Sequence, residues 1–313
     1  MLSIALVGCG RWGASILRDL KSLSVRVVVV ARSPSSIARA TDGGADAVVD
    51  SVDALPAVDG AVIAAPTAMH ADVVLSLAPS GIPIFCEKPL TDDVATAERI
   101  VETAGERVYV MDKWRYHPGV VALAEIARSG ELGAVSGIVT RRLGWGHPHA
   151  DADAAWTLLP HDLTIGLEVL GELPRPVAAV AELDDRGLLA LTGLLRGSYW
   201  HSFELSVRSP RRLRSVELRC RDGVATLGAA YDDVLRIDRS EAALRGGSAA
   251  EPEFRTIANT MPLIVELEAF VAFVGGTGPP PKSSAADGLS IVRAIAALRA
   301  FAGIPQNARC SLR

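Results

Sequence analysis

Ser3-Ile4-Ala5-Leu6-Val7-Gly8-Cys9-Gly10-Arg11-Trp12-Gly13 is the stretch on which the fold turns. A short apolar run, readable as a buried strand, passes directly into a G-x-G-x-x-G turn. Helix-compatible sequence then continues to about Ser22. In that setting each glycine has a separate task. Gly8 permits the tight turn, Gly10 lets a pyrophosphate approach the backbone, and Gly13 lets the helix pack closely on the strand. The helix start, with Arg11 and Trp12, offers free N–H groups and the positive dipole end to phosphates.

Working outward, Val25–Ala31 is almost wholly β-branched, as suits a parallel strand covered on both faces. Further strands are expected at Ala47–Val49, Ala61–Ala65, Ile82–Phe85 and Val108–Met111. Helical patterns at Ala68–Ala78 and Thr91–Gly105 lie among them, with Thr91 as the cap of the second and Asp92 and Asp93 complementing its dipole. Alternating strand and helix means right-handed crossovers and a doubly wound parallel sheet.

Ligands of such a sheet lie outside the carboxyl ends of its strands. The second strand ends in Arg32-Ser33-Pro34-Ser35-Ser36, with no acid to hold a ribose 2′-hydroxyl. Arg32 with Ser33 suits a 2′-phosphate instead, so NADP is expected over NAD; the alternative is a solvated arginine in an ordinary loop. Two more strand ends, Ala65-Pro66-Thr67 with His70 and Glu87-Lys88-Pro89, complete the candidate cofactor lining. Lys88 can polarise a carbonyl or help move a proton from there. The competing reading makes Glu87-Lys88 a surface ion pair.

Composition narrows the function classes. The 313 residues suggest about two domains at ~150 residues each. Apolar residues at 49% and charged residues at 22% exclude a disordered chain, and no apolar run reaches the length of a membrane span. Lys+Arg 32 against Asp+Glu 36 gives −4 and leaves no basic field for nucleic acid or an anionic membrane. MLSIALVGCG lacks a basic n-region and cleavage site, so a soluble cytoplasmic protein is expected. Cys9, Cys86, Cys220 and Cys310 are far apart and read as buried, reduced thiols, with no metal site implied.

GCGRWG at 8–13, A-A-P-T-x-x-H at 64–70, C-E-K-P-L at 86–90, W-R-Y-H-P at 114–118, P-H-D-L at 160–163 and Met261-Pro262-Leu263…Glu266-Leu267 occur in that order. Together they resemble the glucose–fructose oxidoreductase / inositol dehydrogenase / MocA family. The resemblance implies a Rossmann domain, taken here as 1–118, and a second α/β domain, 119–313, built on a large open, mostly antiparallel sheet. It also implies Lys88 beside the nicotinamide, His161 facing it, Arg115 near the cofactor and Tyr116 near the nicotinamide and substrate, with core packing of Trp114 and Tyr116 as the equal alternative. Trp145 and His147 fall on a loop that rims the substrate, and Thr157 is a further substrate candidate. Homo-oligomers, dimer or tetramer, through the second sheet are part of the same expectation. Where family dehydrogenases carry an Asp four residues before the His, this chain has Thr157, which carries no charge to support His161.

The residues after 119 agree on their own terms. A helix is expected near Val120–Ser129, then strands at Val135–Leu143, Val177–Leu183, Leu188–Leu194, Tyr199–Val207, Ser215–Arg221, Val224–Leu227 and Val234–Asp238. Arg208, Arg211, Arg212 and Arg214 cluster around Pro210 and read first as a solvated turn, with a contact to an anionic ligand or a subunit as the alternative. His147, His149, Asp151 and Asp153 alternate as ligands on an extended segment would, but a pocket-rim loop is the preferred reading. The expected activity is hydride transfer between a nicotinamide and a hydroxyl- or oxo-bearing carbon of a sugar, polyol or sugar derivative. The alternatives are a non-catalytic NAD(P)-binding sensor and a hydrolase or lyase that retains its cofactor.

Overall fold

A computed structural model describes residues 1–146, 153–185, 187–239 and 250–304. The chain divides into two units, Met1–Lys113 with Met261–Val292, and Trp114–Thr260 with the segment from Arg293 onward. The first compact unit ends at Lys113, where the sequence suggested 118, and Met261–Val292 groups with it. The pattern of an apolar helix does not say which core it joins, and that is why 119–313 had read as one piece.

In the first unit β1 (Ser3–Val7), β2 (Arg26–Val30), β3 (Ala47–Val49), β4 (Gly60–Ile63), β5 (Ile84–Glu87) and β6 (Val108–Met111) form one sheet. Its order is β3-β2-β1-β4-β5-β6, and every pair is parallel. β2 shows why: Arg26 is exposed and Val27–Val30 are all buried, which only a strand covered on both faces permits. Each fully buried valine adds about 1.5–3 kcal/mol of transfer free energy. Helices α1 (Arg11–Ser22), α2 (Pro34–Asp42), α3 (Thr67–Leu77) and α4 (Val94–Ala104) make the crossovers. The strand order reverses beside β1, which opens a crevice at the carboxyl ends of β1 and β4.

Two expectations fail locally in this unit. Asp93, not Thr91, caps α4, its carboxylate accepting from the Thr96 N–H at 2.8 Å. The Ser33–Ser36 segment, where no helix was expected, opens α2: Ser33 and Ser36 form a reciprocal capping box with Pro34 in the first turn.

The second unit carries α5 (Pro118–Ser129), β7 (Val135–Trp145), α6 (Ala154–Leu170), β8 (Arg175–Asp184), β9 (Gly187–Arg196), β10 (Trp200–Ser206), β11 (Arg208–Cys220), β12 (Gly223–Leu227), β13 (Val234–Arg239) and β14 (Glu253–Thr256). Eight strands run β14-β13-β12-β11-β7-β10-β9-β8, antiparallel except for β10 beside β7. α5 and α6 cover one face, where Ile138, Val216, Leu218, Ile165 and Val169 share a core. β14 went unread in the sequence, and the arginine cluster is strand rather than turn, since β11 runs from Arg208.

Two helices follow, α7 (Pro262–Val274) and α8 (Ala285–Phe301). α7 inserts Leu263, Leu267 and Phe270 into the core with Ile4, Leu6 and Phe85, and Phe270 stacks on Phe85 at 4.9 Å between ring centroids. Gly60 is bare because a Cβ there would stand 2.9 Å from Val274 and 3.2 Å from the Phe270 ring. No helix among the described residues is long and apolar enough to cross a membrane.

Candidate active site

The glycine turn of the first unit is built backbone against backbone. Gly8 has φ +96°, a left-handed conformation that side chains avoid, and a Cβ on it would lie 2.9 Å from the Ala64 carbonyl and the Ala65 nitrogen. A Cβ on Gly13 would stand 2.2 Å from the Gly8 oxygen, which locks α1 against the end of β1. Gly10 differs: it is exposed, a Cβ there would meet nothing within 4 Å, and it caps α1 without any side-chain hydrogen bond. That leaves an open cradle at the head of α1, lined by N–H donors and flanked by exposed Arg11 and Trp12, which fits a pyrophosphate.

The β4 and β5 ends are tied to this turn. The Trp12 indole N–H donates to a Glu87 carboxylate oxygen, and the other Glu87 oxygen accepts from the Lys88 backbone N–H at 3.0 Å. Lys113 Nζ sits 4.5 Å from the Trp12 ring centroid, a cation–π contact. Glu87, itself buried, is thus a brace between α1 and β5, with Lys88 half-buried beside it. His70 is 1% exposed, and its ring nitrogens lie 2.9 Å from the Pro89 and Ala65 carbonyl oxygens. Burial pulls its pKa below the ordinary value, against those two carbonyls, which favour the charged ring. It clamps the 65–67 and 88–90 loops together, so its contribution to a cofactor passes through them. Ala65 and Thr67 are partly exposed and Pro66 is exposed.

At the β2 end Arg32 is exposed and donates from Nε to the Asp50 carbonyl at 3.0 Å. Ser33 Oγ serves the α2 cap, accepting from Ser36 N at 3.2 Å. Arg39, unread in the sequence, folds back one turn so that Nη1 donates to the Ser35 carbonyl at 3.2 Å. Its signal was the i, i+4 spacing from Ser35, visible only once α2 is known to be a helix.

A buried acid also belongs to this unit. Glu266 of α7 is 0% exposed, and neither of its carboxylate oxygens has a hydrogen-bond partner among the described residues. Burial first, then the Glu87 and Asp112 charges, raises its pKa well above the carboxylate range, while Lys113 opposes. The sequence showed Glu266 only as part of a motif, because its isolation arises from the packing of α7.

In the second unit His161 lies half-buried on α6, 6.4 Å between ring centroids from Trp114. The next residue, Asp162, is 2% exposed and binds Arg142 of β7 through two hydrogen bonds of 3.1 and 3.2 Å. Arg142 also lies 4.8 Å from the Trp114 ring centroid. The turn carrying His161 is thereby pinned to the sheet. Burial raises the Asp162 pKa, and Arg142 counters it. Thr157, which stands where an Asp was expected, donates its hydroxyl to the Asp153 carbonyl at 3.0 Å. Asp153 caps α6, accepting from Ala155 N and Trp156 N, and pairs with Arg299.

The remaining predicted residues scatter. Arg115 Nε donates to Glu168 of α6 at 3.0 Å, both side chains largely covered. Tyr116 is half-buried and Trp145 is 69% exposed. His117, quoted in the W-R-Y-H-P motif, caps α5 by accepting from Gly119 N at 3.1 Å, and its Nε2 is 2.7 Å from the Ala230 carbonyl. His147, His149 and Asp151 lie outside the described residues. Cys9, Cys86 and Cys220 are free thiols, burial pushing Cys220 up to about 11, and Cys310 lies outside the described residues.

Residues 2–111 match the model of an oxidoreductase family with an NAD-binding Rossmann fold. Among curated proteins the chain is similar to inositol 2-dehydrogenase from Pseudarthrobacter chlorophenolicus, 34% identical over 143 residues. It is also similar to inositol 2-dehydrogenase from Rhizobium meliloti, 28% identical over 188 residues. The aligned stretch spans 42% of this chain and 42% of the first relative, and 56% and 57% for the second, so it covers about half of each relative's length. Among solved structures it is similar to UDP-N-acetylglucosamine 3-dehydrogenase from Acidithiobacillus ferrooxidans, with TM-score 0.81 and 23% identity over 96% of this chain and 97% of that one. Levoglucosan dehydrogenase in complex with NADH and levoglucosan gives TM-score 0.83 at 17% identity, again over 96% and 97%. At those identities the solved structures establish the fold over nearly the whole chain.

Proposed function

We propose that this chain is a member of the glucose–fructose oxidoreductase / inositol dehydrogenase / MocA family of NAD-binding oxidoreductases and interconverts a hydroxyl and an oxo group on a sugar, polyol or sugar derivative. One observation carries the reading. Gly8 packs on Ala64 and Ala65 while Trp12 hydrogen-bonds Glu87, so the phosphate-binding turn and the strand end bearing Lys88 form a single braced corner. A bound nicotinamide dinucleotide supplies or takes up the hydride. Gly8, Gly10, Gly13, Arg11 and Trp12 hold its pyrophosphate, and Ala65, Pro66 and Thr67 line the strand end beyond. Lys88 is the residue of the first unit assigned to polarise the substrate oxygen, and His161 is the residue of the second unit assigned to proton transfer. Asp162, through Arg142, keeps the His161 turn in place.

NADP is the preferred dinucleotide in this reading. The β2 end has no acid from Arg32 to Ser36, Arg32 is exposed there, and Arg39 reaches back from the last turn of α2 to the Ser35 carbonyl, charges and donors suited to a 2′-phosphate. A reducing, cytoplasmic setting accords with the three free thiols. Pairing of two copies through the uncovered face of the second sheet is supported by Val180 and Leu194, 68% and 37% exposed on neighbouring strands. Light scattering of the purified protein tests that pairing.

The activity is tested by nicotinamide absorbance across a panel of sugars and polyols. Turnover that falls about a hundredfold or more in both Lys88→Met and His161→Asn supports it. Dinucleotide binding without turnover on any carbohydrate moves the protein to the sensor reading, which the uncharged Thr157 favours.

A further inference from the structure

Arg214 and Arg142 stand directly opposite each other on the antiparallel neighbours β11 and β7, on the face that α6 covers. Like charges in that position repel unless an anion lies between them. Among the described residues the carboxylate acting on the pair is Asp162, and it is spent on Arg142 through two hydrogen bonds. Arg214 uses only Nη1, which donates to the Leu143 and Leu213 carbonyls; its Nε and Nη2 make no hydrogen bond among the described residues. Burial, then Arg142 and Arg212, pushes its pKa down to about 10, with Asp162 opposing. A half-buried guanidinium short of negative charge and of acceptors is where an anion gains most.

The local backbone exposes this group. β11 slips register between Arg208 and Leu213, an irregularity of the kind that re-aims side chains at strand ends. Gly144 follows Arg142 on the same face of β7, and a Cβ there would lie 3.9 Å from both Nη1 and Nη2 of Arg214. With glycine at that position no side chain of residue 144 covers Nη2. Asp162 then links the arginine pair to the helical turn that carries His161.

We propose that Arg214, set by Arg142 and Asp162, binds an anionic group of the substrate, a carboxylate or a phosphate, so that the substrate is an acidic sugar derivative and not a neutral polyol. The assignment rests on the oxidoreductase reading for the word substrate, but the anion site itself does not.

Calorimetric titration of the NADP-saturated protein with D-glucuronate, D-glucose 6-phosphate and D-glucose at low salt tests it. At least one acid binds about tenfold or more tightly than D-glucose, and added salt erodes the difference. The acid that gains more tells carboxylate from phosphate. Arg214→Gln abolishes the preference and Arg214→Lys restores part of it, with NADP affinity and the circular dichroism spectrum unchanged in both. Failure of both acids to outbind D-glucose, or a preference that survives Arg214→Gln, overturns the proposal. Acid binding without hydride transfer leaves the anion site standing and removes the oxidoreductase reading. Turnover of neutral sugars with no preference for acids does the reverse.

Discussion

The two units solve the problem of a polar site in opposite ways. In the first, the candidate corner is made of backbone: Gly8, Gly10 and Gly13 bring peptide groups where side chains would stand, and one indole–carboxylate bond braces the neighbouring strand end. In the second, the corner is made of buried charge, with Arg142–Asp162, Arg299–Asp153 and Arg115–Glu168 all drawn to α6. Backbone sites tolerate no added atoms, and charge sites tolerate no missing partner.

The largest expected effects come from breaking the charge side. Arg142→Met leaves Asp162 as an uncompensated buried carboxylate and should cost about 3–5 kcal/mol, read from the urea midpoint. Replacing both at once, Arg142→Met with Asp162→Leu, should return most of that loss. If the single and double variants are equally unstable, the pair is not what holds the His161 turn.

On the backbone side, Gly13→Ala forces a Cβ against the Gly8 carbonyl and should cost about 1–3 kcal/mol, with a marked loss of dinucleotide affinity. Gly10→Ala is its control. Nothing stands within 4 Å of that Cβ, so stability should stay within about 0.5 kcal/mol while affinity drops, because the methyl enters the phosphate cradle. Equal losses of stability in the two variants would contradict the division of labour among the glycines.

Glu266 sharpens the contrast, being a buried charge site inside the backbone-built unit without a hydrogen-bond partner among the described residues. Its folded pKa is raised, so the native state holds a proton that the unfolded chain releases above about pH 4.3. Stability should therefore fall as pH rises through the range between those two values. Glu266→Gln should flatten that dependence and raise the melting temperature at about pH 8 relative to the parent. An unchanged pH profile would show that the carboxyl finds a partner in solution. The smallest effect belongs to the exposed Arg208–Glu182 pair, where Arg208→Ala should change stability by less than about 0.5 kcal/mol and leave dinucleotide affinity unchanged.

The same contrast explains what was legible in the sequence. The parallel sheet could be read because its signals are local: an apolar run, a glycine turn, then helix, repeated within a few tens of residues. Gly8, Gly10 and Gly13 carry their reasons in their spacing. The α2 helix was missed because three serines and a proline resemble a loop until the Ser33–Ser36 capping box is seen. Most of the strands of the second sheet could be located, but their pairing could not. Arg299 reaches Asp153 across 146 residues, and Arg115 reaches Glu168 across 53. No period in the sequence encodes such partners. Arg214 read as one of four solvated arginines because its isolation depends on the register that sets it opposite Arg142.

The central claim is that the glycine corner holds a nicotinamide dinucleotide, with the β2 end preferring the 2′-phosphate. Calorimetric titration of the apo protein with NADPH and with NADH tests it most directly. The expected result is tighter NADPH binding, a difference that collapses in Arg32→Ala, and loss of both in Gly13→Ala. Binding of neither dinucleotide by the folded parent protein would contradict the claim, and equal or NADH-favoured binding would remove the role assigned to Arg32.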